Sequence, residues 1–130
     1  MTRLEAFELG RAPAGRERPQ EPRATGLAGR ALAFVRGHLK ESISVTRLAR
    51  ELGVSPRTLQ RELKTTLQCS PRDAILAVKM RAARRMLESG ELRVSEVAYR
   101  VGFETPFHFS RRFKQHFGHP PSALIDRIRS

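Results

Sequence analysis

Several residue types are scarce or absent in this sequence of 130 residues. It has no tryptophan, and aromatic residues make up only 6% of it, which favours aliphatic helix packing over a β-sandwich. Cys69 is the single cysteine, so no internal disulfide and no cysteine-rich metal site can form, as is typical of a reducing cytosol. No stretch approaches the roughly 18 apolar residues of a membrane span, and the first residues lack the apolar core of a secretion signal.

Motifs for catalysis and cofactor binding are also missing. There is no glycine-rich phosphate loop, no nucleophile beside a partner base, and no pair of carboxylates with acid–base spacing. The four histidines do not have the spacing of zinc ligands. The sequence therefore predicts a protein that is not an enzyme and that binds no cofactor and no metal.

The most prominent feature that is present is positive charge. Lys and Arg number 25 against 13 Asp and Glu, a net charge of +12. Residues 27–130 contain twenty basic and nine acidic residues, so the surplus lies there and not in residues 1–26. A folded domain of this charge repels itself unless it binds a polyanion, which favours nucleic acid over an anionic membrane surface.

The pattern of the chain changes near residue 26. Residues 1–26 mix proline, glycine and charge, and we interpret them as a flexible leader or linker remnant. Beyond them, apolar residues recur at helical spacing and no segment alternates convincingly as a strand. Helix starts are marked by Ser or Thr before Pro, at residues 55–56, 70–71 and 105–106. The sequence predicts an all-α fold of about seven helices.

Two segments of this helical region match each other. Residues 45–53 align with 94–102 at an offset of 49, and the residues from Ser55 onward align with those from Thr105 at an offset of 50. Apolar positions, turn glycine, capping residue and proline all recur. A short helix, a glycine turn and a second helix make a helix-turn-helix unit. A solenoid is the alternative, but two copies fall short of its usual minimum of about three.

The second helix of each unit leaves an outer face free for binding. Its residue types suit DNA base edges and phosphates, since most of them are hydrogen-bond donors or cations. In the first unit this face has Arg57, Thr58, Gln60, Arg61 and Lys64. In the second unit it has Phe107, His108, Ser110, Arg111, Arg112 and Lys114.

The sequence resembles the DNA-binding domain of the AraC/XylS family of bacterial transcription regulators. The resemblance covers about residues 27–128 and is strongest in VSEVAYRVGF (94–103) and HFSRRFK (108–114). It implies homeodomain-like helix-turn-helix subdomains at 27–69 and 91–130, joined by a linker helix at 70–90. The two recognition helices would enter successive major-groove segments about one helical turn apart, roughly 34 Å.

The resemblance also implies a role for individual residues. The base-contacting residues would be Arg57, Gln60, Arg61, Phe107, His108 and Arg111. The strongest candidates are Arg61 and Arg111, since a bidentate Arg–guanine contact is worth ~1–3 kcal/mol of discrimination. The phosphate-contacting residues would be Thr58, Lys64, Thr105, Ser110, Arg112 and Lys114.

The sequence thus predicts a sequence-specific regulator of transcription that binds double-stranded DNA in the bacterial cytoplasm and nucleoid. The resemblance implies an activator that contacts RNA polymerase. We also expect no membrane partner, and a monomer unless the sequence is part of a larger chain. A non-specific nucleoid or RNA-binding protein is one alternative, although it would need Lys and Arg where Gln60 and His108 stand. An adaptor protein is another, but it would need an exposed apolar stripe, for which Phe107 is the one candidate.

Overall fold

The computed structural model describes residues 26–129, which form seven α-helices and no β-strand. In chain order the helices are α1 (Leu27–Arg36), α2 (Val45–Leu52), α3 (Pro56–Leu67), α4 (Pro71–Glu88), α5 (Val94–Arg100), α6 (Pro106–Phe117) and α7 (Pro121–Arg129). The predicted all-α fold of about seven helices is confirmed. The predicted leader at residues 1–26 lies outside the described residues, apart from Gly26.

Hydroxyl side chains begin α3 and α6, as the sequence predicts. The Ser55 hydroxyl accepts a hydrogen bond from the Thr58 amide at 3.1 Å, and the Thr105 hydroxyl accepts one from the His108 amide at 3.2 Å. Proline follows each cap at the start of the helix, where its missing N–H costs nothing. The Ser44 side chain caps α2 in the same way. Each cap satisfies an amide that has no partner inside the helix.

The described chain divides into two compact units. The first unit consists of the chain up to Gly37 together with Ile43–Val78, and the second of His38–Ser42 together with the chain from Lys79 onward. In the first unit α1, α2 and α3 pack on one another. In the second unit α6 packs on both α5 and α7. The helix α4 therefore begins in the first unit and ends in the second.

The first unit has an aliphatic core. Its fully buried side chains include Leu32, Val35, Leu48, Leu59, Leu63 and Leu67. Three of these, at 59, 63 and 67, follow one another at every fourth residue of α3. Because residues four apart lie on the same side of a helix, this stripe turns one face of α3 inward and leaves the opposite face outside.

The second unit has an aromatic core around α6. Phe109 and Phe113 are fully buried, with their ring centroids 5.6 Å apart. Phe103 packs edge-on against Phe109 at 5.6 Å, and the half-buried Phe117 lies 4.7 Å from Phe113. The guanidinium carbon of Arg84, on α4, lies 5.1 Å from the centre of the Phe117 ring. These contacts fix the inward face of α6 along its whole length.

A buried lysine joins three backbone segments of the second unit. Lys79 is only 7% exposed, and its Nζ donates hydrogen bonds to the carbonyl oxygens of Leu39 at 2.9 Å, Glu41 at 2.6 Å and Val101 at 3.0 Å. An ammonium group has three donors, so all of them are satisfied. Burial lowers the pKa of Lys79, and the Glu41 carboxylate acts in the opposite direction. Since Val101 directly precedes the turn glycine, this group also holds the turn between α5 and α6.

The first unit has a weaker counterpart of this contact. The Arg30 side chain donates a hydrogen bond to the carbonyl oxygen of Leu52 at 3.3 Å. Arg30 and Lys79 are separated by 49 residues, and so are Leu52 and Val101. The internal repeat therefore includes a cation that precedes the helix-turn-helix and binds the end of its first helix. Arg30 is exposed, so its contact competes with water.

The two turn glycines have different surroundings. Gly53 has a φ of +75° and Gly102 a φ of +87°, a region that is strained for residues with a side chain. A Cβ at Gly53 would have nothing within 4 Å. A Cβ at Gly102 would lie 2.6 Å from Lys79 Nζ and 3.0 Å from the Leu39 carbonyl oxygen. At Gly53 a glycine is required only because φ is positive. At Gly102 it is required for the same reason and also because a side chain would collide with Lys79 and Leu39.

We expect Gly53→Ala and Gly102→Ala to destabilise the protein unequally. The strained φ should cost Gly53→Ala about 1–2 kcal/mol of unfolding free energy. Gly102→Ala should cost about 2 kcal/mol more, because its methyl group must displace the Lys79 ammonium from its carbonyl partners. Urea unfolding followed by circular dichroism measures both changes. Equal losses in the two variants would contradict the close approach at Gly102.

Replacement of the two cations by methionine tests their different burial. Lys79→Met keeps the hydrocarbon stem but leaves three carbonyl oxygens without their donor, which should cost about 3 kcal/mol of unfolding free energy. Arg30→Met is the matched control and should cost less than about 1 kcal/mol, since its hydrogen bond to Leu52 is long, at 3.3 Å, and only partly buried. The same urea titration compares them. A Lys79→Met protein as stable as Arg30→Met would show that the buried ammonium does not stabilise the second unit.

Candidate nucleic-acid interface

The outward face of α3 is polar along its length. Thr58 is half-buried, and its hydroxyl accepts a hydrogen bond from the Ser55 hydroxyl at 3.0 Å. The remaining predicted contact residues of the first unit are exposed: Arg57, Gln60, Arg61 and Lys64. The structure therefore places the five predicted residues of this helix opposite or beside its buried leucines, with three cations among them.

The outward face of α6 occupies the same positions at an offset of 50. Ser110 is half-buried, and Thr105 is exposed at the helix start. The other predicted contact residues of the second unit are also exposed: Phe107, His108, Arg111, Arg112 and Lys114. All seven residues belong to one helix and its cap. They lie on or beside the side that Phe109 and Phe113 leave free.

The two helix N-termini add a second attractive feature. The aligned peptide dipoles give the start of a helix a partial positive charge, and its free amides favour phosphate. Thr105 caps α6 through its hydroxyl oxygen, and that hydroxyl can still donate a hydrogen bond to an anion. Thr58 lies in the first turn of α3 beside its cap, Ser55. Both threonines thus lie where a phosphate would be favoured.

Three side chains of α6 form a cluster at its N-terminal end. The guanidinium carbon of Arg111 lies 5.9 Å from the centre of the Phe107 ring. The Phe107 and His108 rings have centroids 6.1 Å apart and are tilted by 51°. Despite these contacts Phe107 remains 66% exposed. The cluster therefore combines a cation, an imidazole and an accessible apolar ring on one surface.

A concave surface adjoins this cluster. It is lined by Phe103, His108, Arg111, Arg112 and Gln115. Four of the five belong to successive turns of α6, and two of these are arginines. The concavity is therefore part of the same basic face and suits a phosphate or a base edge.

The two faces differ in charge at one equivalent position. Arg112 in α6 corresponds to Glu62 in α3, and the glutamate is half-buried while the arginine is exposed. A carboxylate repels phosphate, whereas an arginine binds it bidentately. The outer surface of α6 is thus the better suited of the two to binding the DNA backbone, and α3 presents more side chains that hydrogen-bond base edges.

Sequence reasoning missed two features of this region. The carbonyl contacts of Arg30 and Lys79 were not predicted, although the two cations are 49 residues apart and so are their partners, Leu52 and Val101. The exposure of Tyr99, at 52%, and of Ile128 was not predicted either. With Phe107, these exposed hydrophobic residues lie on three different helices, α5, α6 and α7.

Cys69 is half-buried at the end of α3. Burial raises the pKa of its thiol to about 11, and the charge of Asp73 adds to this shift. The reactive thiolate is therefore disfavoured at neutral pH, in keeping with a packing role. Among residues 26–129 no three side chains form a metal-binding group. No helix in this part of the chain has the length and apolar character to cross a membrane.

Comparison with known proteins identifies the family. A family model described as "Helix-turn-helix domain" matches residues 48–127. GlxA, an HTH-type transcriptional regulator of Rhizobium meliloti, is 36% identical over 89 residues, 68% of this chain and 28% of GlxA. RhaS, an HTH-type transcriptional activator of Escherichia coli, is 31% identical over 93 residues, 72% of this chain and 34% of RhaS. The histidine kinase P4 of Formosa agariphila is 32% identical over 87 residues, 67% of this chain and 6% of the kinase.

Solved structures show the same fold. The C-terminal domain of AraT, a response regulator from Geobacillus stearothermophilus, superposes with a TM-score of 0.73 and 30% identity, over 81% of this chain and 88% of that one. The DNA-binding domain of AdpA, a global transcriptional factor solved with a target DNA, has a TM-score of 0.73 and 28% identity, over 81% and 95%.

The helix-turn-helix repeat and these likenesses define the class of this chain, a helix-turn-helix domain of the kind found in transcription regulators. The chain belongs to the AraC-type family of helix-turn-helix transcription regulators, which confirms the predicted resemblance. It spans about a third or less of the length of the curated relatives named above.

Proposed function

We propose that this chain is a sequence-specific regulator of transcription that inserts α3 and α6 into successive major-groove segments of double-stranded DNA. One observation supports this most strongly. Two helices with capped N-termini present equivalent outward faces, each built over a buried stripe and each rich in hydrogen-bond donors. In this proposal the subdomains span 27–69 and 91–130, and the linker helix spans 70–90.

The N-terminal halves of both helices supply the base contacts. Recognition helices of this kind contact base edges with their first turns. The proposed base-contacting residues are Arg57, Gln60, Arg61, Phe107, His108 and Arg111. An arginine can donate two hydrogen bonds to guanine O6 and N7, and a glutamine can pair in a similar way with adenine.

The hydroxyl and cationic side chains around the base-contacting residues bind the DNA backbone. Contacts with phosphate fix the register of a protein on the duplex without selecting a sequence. The proposed phosphate-contacting residues are Thr58, Lys64, Thr105, Ser110, Arg112 and Lys114. Their cations also make binding depend on salt, because each neutralised phosphate releases counterions.

The choice of residues favours specific over non-specific binding. A protein that held any nucleic acid by charge alone would gain from lysine or arginine at every exposed position of these faces. The Gln60 amide and the His108 imidazole instead offer directional hydrogen bonds. An adaptor function would require a continuous apolar surface, whereas the large exposed hydrophobic residues among residues 26–129 number three, with one on each of three helices.

The direction of regulation and the further partners are part of the proposal. RhaS is an activator by name, and we extend this role to the present chain, with RNA polymerase as a second partner. The site of action would be the nucleoid in the bacterial cytoplasm. The chain would bind as a monomer unless it forms part of a longer protein.

Substitution of the two central arginines tests the function. Arg61→Ala and Arg111→Ala should each weaken binding to the preferred duplex by ~1–3 kcal/mol, or roughly 5- to 150-fold, and weaken binding to random DNA much less. Arg36→Ala is the control, since it removes an exposed charge outside both recognition helices. Dissociation constants from fluorescence anisotropy at about 0.15 M salt give the comparison.

Equal losses on preferred and random DNA would contradict base recognition by these residues. If Arg36→Ala weakened DNA binding as much as the two test variants do, Arg61 and Arg111 would contribute only through their positive charge. Circular dichroism of each variant checks that its helices remain intact.

A further inference from the structure

Phe107 departs from the pattern of the internal repeat. The equivalent residue of the first unit is Arg57, a cation that can bind a base edge or a phosphate. Phe107 can do neither, yet 66% of it is exposed at the second position of α6. Isolated exposed hydrophobic residues are common on protein surfaces, so exposure alone says little. Its position in the first turn of a recognition helix, where base contacts are made, is the informative feature.

The contact with Arg111 sets the geometry of this ring. Phe107 and Arg111 are four residues apart and therefore lie on the same side of α6. The guanidinium carbon lies 5.9 Å from the ring centre, within the range of a cation–π interaction. Such a contact restricts both side chains before any partner is bound. In the first unit Arg57 and Arg61 occupy these positions, and two cations have no such attraction.

The spacing of the pair allows contacts with two neighbouring base pairs. Successive bases of one strand are stacked about 3.4 Å apart, so two groups about 6 Å apart can contact adjacent base pairs. In the major groove thymine differs from cytosine by a C5-methyl group, which binds apolar side chains. Guanine presents two acceptors that suit an arginine.

We propose that Phe107 and Arg111 act as one specificity determinant that selects a pyrimidine with a C5-methyl group beside a guanine. Phe107 packs on the methyl group, and Arg111, held by the ring, donates two hydrogen bonds to the neighbouring guanine. The inference rests on the proposed function, since it requires α6 to lie in the major groove. Beyond that function, the second unit recognises a particular chemical group, the C5-methyl group, and the affinity for DNA depends on its presence.

Removal of single methyl groups from DNA tests this inference. On the duplex that the wild-type chain enriches, each thymine of the block bound by α6 is replaced in turn by deoxyuridine. Wild-type protein should lose about fourfold in affinity at one thymine, the change that corresponds to one buried methyl group of ~0.8 kcal/mol. Replacing that thymine by 5-methylcytosine, with guanine opposite it, should retain more affinity than cytosine does at the same place.

The variants show whether Phe107 is the residue responsible. Phe107→Ala should bind the thymine and deoxyuridine duplexes equally, and Phe107→Leu should keep part of the difference. Arg57→Ala, at the equivalent position of the first unit, should bind more weakly overall but keep the fourfold ratio. Placing 7-deazaguanine beside the critical thymine removes the N7 acceptor. It should weaken wild-type binding and have little effect on Arg111→Ala.

Two results would overturn the inference. One is a wild-type protein that tolerates deoxyuridine at every position of that block, and the other is a Phe107→Ala variant with an undiminished response. Either result would leave the enriched two-block site, and with it the proposed function, in place. Failure to enrich any site would instead contradict the proposed function itself.

Discussion

The ammonium group of Lys79 is the contact on which the second unit depends. It draws together the loop at His38–Ser42, the helix α4 and the end of α5 through hydrogen bonds to the carbonyl oxygens of Leu39, Glu41 and Val101. Gly102 leaves the space in which this group fits. Because α6 follows directly from this turn, the direction in which its outer face points is set by a buried cation as well as by apolar packing. Arg30 makes the corresponding contact in the first unit, at the surface.

The two units share the helix-turn-helix arrangement but differ in the residue types of their cores and surfaces. Leucines form the inward face of α3, whereas Phe109 and Phe113 form that of α6. The outer faces also differ. The face of α3 presents separate hydrogen-bonding side chains, whereas that of α6 presents a cluster in which Phe107 and Arg111 are in contact. A repeated scaffold thus holds two chemically distinct surfaces. We infer that the units make unequal contributions, with α3 selecting bases mainly by hydrogen bonds and α6 combining methyl recognition with stronger binding of phosphate.

Much of this architecture could be predicted from the sequence because its determinants are local. The capping hydrogen bonds of Ser55 and Thr105 join residues three apart, and a serine or threonine before proline predicts them. The contacts of Lys79 could not be predicted in this way, because its partners lie 22 to 40 residues away and a lysine in a helix is usually solvated. Gln68 ends α3 with a φ of +58°, where glycine would be expected. The helical spacing of apolar residues predicted which side chains face outward. It could not predict which bases they prefer, because that preference depends on contacts with DNA.

In the proposed function, both α3 and α6 select DNA sequence. Selection of bound duplexes from a randomised library tests it most directly, at about 0.15 M salt, where attraction to DNA of any sequence is reduced. If both helices select sequence, two short conserved blocks should be enriched, one for each helix, with centres about 10 base pairs apart. Tight binding that collapses as salt is raised, with no sequence enriched, would contradict it and leave a protein that binds DNA by charge alone.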